Sequence, residues 1–190
     1  MTWIGHSKDA VYWDDLRTPA SSINPAGSAA PPTEDTTVAP GTLLFSAAGL
    51  NVVAMLVQLP HNYKEGTTLY PHVHWTKTTA AAGAVVWQLH YKVAKIGEVM
   101  DANFTTLTAS QTTAGTPDTD TAEKHLITAF GTISGDGMQI SDMLVCEVSR
   151  LGNDGADTYG ANARLLEFDI HYQQDEPGSR QEFSKVHPGP

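Results

Sequence analysis

From Thr42 onward, apolar and polar residues alternate with a period of two, the mark of half-buried strands. "LNVVAMLVQLP" reads as a strand that stops at Pro60. After the glycine-containing turn "NYKEGTTL", the run "YPHVHWTKT" sets Val73 and Trp75 on one face and His72, His74 and Thr76 on the other. Beyond the small-residue turn "AAAGA", "VVWQLHYKV" places Val85, Trp87, Leu89, Tyr91 and Val93 opposite Val86, Gln88, His90 and Lys92. A Thr-rich strand is expected over 103–114. "KHLITAFGTI" keeps β character and "SDMLVCEVSR" is a strong strand. The last long segment, "RLLEFDIHYQQ", predicts Leu166, Phe168, Ile170 and Tyr172 inward. With about seven or eight strands and no helical period, the expected fold is all-β, a jelly-roll-like antiparallel β-sandwich.

The N-terminal part breaks this pattern. Residues 1–18 carry Trp3, Tyr12 and Trp13 beside "WDDLR", and Ala20–Gly41 is rich in Pro, Ala, Ser and Thr. That composition builds no core and reads as an extended linker. The expected organisation is an extended N-terminal arm over 1–41 and a β-sandwich domain over 42–190. The aromatic residues and Arg17 would dock the arm on its own domain, a neighbouring subunit or another protein.

Composition narrows the function classes. The chain has 190 residues and 41% hydrophobic content, enough for one real core. Its net charge is −10, with 11 basic residues scattered among 21 acidic ones. Nucleic-acid binding needs a basic face, so none is expected. An anionic membrane surface is disfavoured for the same reason, and no apolar run reaches transmembrane length. The start has neither a basic n-region nor an apolar h-region, so no signal peptide is expected. The single cysteine, Cys146, lies in "MLVCEV" and reads as a small buried hydrophobe.

The histidines are the main candidates for chemistry. His72 and His74 form a His-x-His strand; His90, and also Glu167, Asp169 and His171, stand on polar faces of other strands. If those strands were neighbours, imidazole and carboxylate groups would suit zinc, iron, nickel or manganese. A cupin-like metal enzyme would use such a strand with an open metal position. However, "HVHWTKTTAAAG" has no carboxylate after His74, and Val73 and Trp75 make the better inward pair. The expectation is therefore an outward, subunit-facing histidine surface with no metal and no cofactor; His72, His74, His90 and His171 are the candidate ligands should one bind. Glu167 and Asp169, about 7 Å apart on one face, match a glycosidase pair no better than they match ordinary alternation. Asp154 and Asp157 in "GNDGADTYG" lack the full EF-hand spacing and are explained by Asx turns.

"WDDLR", "VQLPHNYKEGTTLYPHVHW", "MLVCEVSR", "DTYGANARLLEFDIHYQ" and "PGSRQEF" together resemble a family of small virion proteins of tailed bacteriophages and prophages. The resemblance spans nearly the whole chain except Ala20–Gly41. It implies a structural protein, not an enzyme, and supplies no catalytic residues. The role it implies is a capsid decoration (cement) protein made in the host cytoplasm and placed on the capsid surface. There it would bind the major capsid protein as a dimer or trimer, with Trp3, Tyr12, Trp13 and Arg17 anchoring the arm. The alternatives are a neck, collar or tail-fibre component that binds glycans, and the cupin-like metal enzyme.

Overall fold

The computed structural model describes residues 11–25, 31–112, 121–179 and 181–185. The described residues form β1 (Tyr12–Pro19), a 3-10 turn (Ala20–Ser22), β2 (Asn24–Pro25), β3 (Thr33–Asp35), β4 (Thr42–Phe45) and β5 (Leu50–Gln58). After these come β6 (Tyr70–Lys77), β7 (Ala84–Ala94), β8 (Thr105–Thr112), β9 (His125–Ala129), β10 (Met143–Leu151) and β11 (Ala163–Gln174). One sheet runs β3-β4-β11-β6-β9, with β1 also on β11; the other runs β2-β5-β10-β7-β8. Every pairing is antiparallel. Apart from the β7–β8 hairpin, successive strands from β4 to β11 cross between the sheets, which is the jelly-roll arrangement.

The inward rows are those the alternation selects. Val53, Met55 and Val57 of β5, Val73 and Trp75 of β6, and Val85, Trp87 and Leu89 of β7 are buried together. Trp75 and Trp87 meet from opposite sheets at 6.0 Å, and Phe45 stands edge-on to Trp87 at 5.1 Å. The Trp75 indole N–H donates to Thr128 Oγ1 at 2.9 Å, which satisfies its polar edge inside the sandwich. Cys146 is fully buried among these residues, and burial pushes its thiol up to about 12.

Three sequence expectations need correction. In β11 the inward residue at the start is Leu165, not Leu166, because the register shifts between Leu165 and Glu167. Here one edge of β11 passes from β4, paired at Ala163–Leu165, to β1, paired at Glu167–Gln174. An extra residue accommodates the change of partner as a bulge. The boundary at residue 41 also moves, because β1 lies along β11 through eight residue pairs, and β2 and β3 extend the two sheets. Composition hid this because β1 is held by backbone pairing and buries little; Leu16 is its half-buried contact with the core. Finally, β6 and β7 belong to different sheets, so His90 is remote from the His-x-His strand. Their connection presses Gly83 against Tyr159: at φ +147° a Cβ would stand 2.6 Å from the Tyr159 Cα.

Two buried arginines tie loops to the sheets. Arg150 engages Asp157 through Nε and Nη2, at 2.9 and 2.8 Å, and donates to the carbonyls of Phe45, Ala161 and Tyr159. Asp157 also accepts the Val86 N–H, so its carboxylate is committed to structure and is no calcium ligand. Arg164 binds Asp35 of β3, Thr76 and Glu123.

Candidate functional site

The outer face of the first sheet carries the chemistry. Cross-strand register sets Asp15 and Arg17 of β1 opposite His171 and Asp169 of β11. On the other side of β11, Asp169 faces His72 and Glu167 faces His74. His74 in turn faces Ile127 of β9, and His125 faces Thr76. Four strands thus bring His72, His74, His125, His171, Asp15, Glu167 and Asp169 onto one surface.

Although they point away from the core, the central groups are not solvated. His72 and Asp169 are each only 3% exposed, while His74 is partly covered. They face outward as expected, yet side chains of the same sheet cover them. Trp13 packs edge-on against Tyr70 at 5.4 Å, and the His171 ring lies 4.3 Å from that of His72. Alternation assigns a face, whereas coverage comes from large side chains on neighbouring strands. A shallow depression lined by Trp13, Tyr70, His72, Ile127 and His171 leads to the cluster.

Within it, the Nε2 atoms of His72 and His74 are 3.0 Å apart. His72 Nε2 lies 3.7 Å from Asp169 Oδ1, and His74 Nε2 lies 3.4 Å from Asp169 Oδ2. The far nitrogens are also held: His72 Nδ1 is 3.2 Å from the Tyr70 carbonyl and His74 Nδ1 is 2.7 Å from His125 Nε2. Nearer the surface, His171 Nε2 meets Asp15 Oδ1 at 2.9 Å. Arg17 forms a two-point pair with Glu167, both bonds 2.8 Å, and its charge also acts on Asp169, favouring the ionised carboxylate.

These contacts unbalance the charges. Burial, with Asp15 and Glu167 adding repulsion, pushes the Asp169 carboxyl up to about 7. Burial also lowers both His72 and His74, and the neighbouring imidazoles push in the same direction. Asp169 Oδ1 is buried with no hydrogen-bond partner among the described residues. Two sets of donors converge here within 4.8 Å: His72, His74 and Asp169, and then Asp15, Asp169 and His171.

Of the sequence-predicted ligands, His72, His74 and His171 come together. His90 pairs instead with Glu147 on the second sheet, at 3.7 Å. Sequence reasoning missed His125 and Asp15, whose alternation gives no hint of which strands lie beside them. Of the expected arm anchors, Tyr12 and Trp13 remain substantially exposed, Arg17 binds Glu167, and Trp3 lies outside the described residues.

No family model matches the chain, and no curated protein does. Among solved structures the chain is similar to dimeric latent PorU from Porphyromonas gingivalis, with a TM-score of 0.38 and 14% identity over 98% of this chain and 15% of that one. It is also similar to TmCBM61, solved in complex with beta-1,4-galactotriose, with a TM-score of 0.33 and 11% identity over 86% of this chain and 88% of that one. At these scores neither likeness bears on what this chain does.

Proposed function

We propose that the chain is a structural protein of a tailed-phage virion, a capsid decoration (cement) protein that bridges capsomers through the outer face of its first sheet. One observation carries the reading. "WDDLR", "YPHVHW" and "RLLEFDIHYQ", far apart in the sequence and all within segments that resemble phage virion proteins, form the adjacent strands β1, β6 and β11. The resemblance thus converges on one continuous surface.

That surface has the character of a contact site. Trp13, Tyr70 and Ile127 are exposed along it, and aromatic residues are favoured at the centres of protein interfaces. Adhesion here is burial of this strip against the major capsid protein or a second copy of the chain. The net charge of −10 keeps the outward surface of a many-copy shell soluble.

The test is the number of copies per particle, measured by quantitative mass spectrometry of virions of the encoding phage, with density located on the intact particle. Hundreds of copies on the head support decoration. A dozen or fewer at the neck or tail replace it with the collar or fibre reading, and absence from the particle refutes both. Trp13→Ala with Tyr70→Ala should abolish particle binding while leaving the sandwich folded.

A further inference from the structure

We propose that His72, His74 and Asp169 form a binding site for a divalent transition cation of the zinc class, with Asp15 and His171 as the adjoining outer donors. The inference concerns a ligand of the sheet and stands apart from the virion role.

Asp169 supplies the strongest argument. A carboxylate this deeply buried is normally paired or hydrogen-bonded. Asp169 instead has an orphaned oxygen, with Asp15 and Glu167 as its carboxylate neighbours. Arg17, the nearby cation, gives its hydrogen bonds to Glu167 and offsets their repulsion only in part. A bound cation would satisfy the orphaned oxygen and relieve the repulsion together.

The imidazoles are set up to help. The Tyr70 carbonyl accepts from His72 Nδ1–H, which leaves the Nε2 lone pair aimed at the cluster; such an outer partner fixes the tautomer of a ligating histidine. His125 can do the same for His74 by accepting from its Nδ1. Ligands about 2.0–2.1 Å from one zinc ion stand roughly 3–3.5 Å from each other. The separations here are 3.0, 3.4 and 3.7 Å, so small side-chain adjustments would close the site.

Without a cation, one proton must lie between the two facing Nε2 atoms. Binding moves that proton to His74 Nδ1 and the His125 proton to its own Nδ1, so all three imidazoles stay neutral, and any proton on Asp169 is released to solvent as its carboxylate takes the cation. Imidazole with carboxylate favours zinc, nickel or cobalt over calcium and magnesium. The depression beside Trp13 and Tyr70 is the entry path.

The test uses the full chain without an affinity tag, stripped by chelator and titrated with Zn²⁺ by calorimetry and with Co²⁺ by visible absorption. One equivalent of zinc should bind and raise the melting temperature, and cobalt should give a ligand-field spectrum. His72→Ala and His74→Ala should each weaken binding by tenfold or more, whereas His90→Ala on the other sheet should bind as wild type. Asp169→Asn should lose binding, yet its metal-free form should melt no lower than metal-free wild type, since it removes a buried unpaired charge. That variant separates loss of a ligand from loss of the fold. No zinc binding at equimolar protein and metal, or unchanged binding in both His74→Ala and Asp169→Asn, overturns the proposal.

Discussion

Replacing Asp157 with alanine should destabilise this protein more than most single truncations, because of what it leaves behind. All five N–H groups of Arg150 are engaged, two on Asp157 and three on backbone carbonyls. Both partners are almost inaccessible, with side-chain exposures of 0% and 1%. Asp157→Ala keeps the three carbonyl contacts but strands a buried positive charge, two guanidinium N–H groups and the Val86 N–H. Breaking a buried ion pair by removing one partner costs about 3–5 kcal/mol. Two lost hydrogen bonds to charged groups, at about 1.5–3 kcal/mol each, give the same scale. The assay is equilibrium urea unfolding. With a slope of about 2 kcal/mol per molar, the midpoint should fall by about 1.5–2.5 M. Asp154→Ala in the same loop is the control, since exposed Asp154 accepts only local backbone N–H bonds and its loss should cost no more than about 1 kcal/mol. If Asp157→Ala moves the midpoint by less than about 0.5 M at an unchanged slope, water replaces the carboxylate and the buried-pair reasoning fails.

Asp35 predicts part of the acid response. Backbone N–H bonds from Val38 and Thr37 hold its carboxyl well below the ordinary range, aided by Arg164 and opposed by burial. Its folded pKa is depressed, so its stabilisation is complete above the unfolded value of about 3.9 and is lost as pH falls through the folded one. Urea midpoints measured from neutral to strongly acidic pH should therefore drop at the acid end in wild type, and less steeply in Asp35→Asn. Cys146, with its thiol pushed up to about 12, should resist a disulfide reagent at pH 8 in the native protein and react fully once unfolded in urea; rapid native labelling would contradict its burial. Thr128→Val removes the acceptor of the buried Trp75 indole N–H and should cost about 1–3 kcal/mol in urea unfolding, whereas a neutral result would show that water reaches that indole.

Much of the site was legible strand by strand. The alternation of "YPHVHWTK" separates Val73 and Trp75 from His72 and His74, and the structure buries the first pair in the core. In the same way, "RLLEFDIHYQQ" puts Glu167, Asp169 and His171 on one polar face. What eluded reading was association. His90 and His171 both look like partners for the His-x-His strand, yet of their two strands β11 pairs with β6 and β7 lies in the other sheet. His125 carries no mark of its own until β9 is paired beside β6. Leu166 takes the inward place in a regular pattern, and only the handover from β4 to β1 along β11 shifts that place to Leu165.

By itself, then, the sequence determined the all-β class, the inward rows and the polar face of each strand. These are local properties, because a strand's side chains alternate whatever lies next to it. Tertiary structure alone decided which strands are neighbours, that β1 joins the sheet, and that an outward histidine and carboxylate are buried. Strand order is set by pairing between distant segments and by crossings between two sheets, and neither leaves a periodic trace in the chain. The unpartnered oxygen of Asp169 belongs to that second kind of information. It exists only where β1, β6 and β11 meet and cover a charge that none of them covers alone.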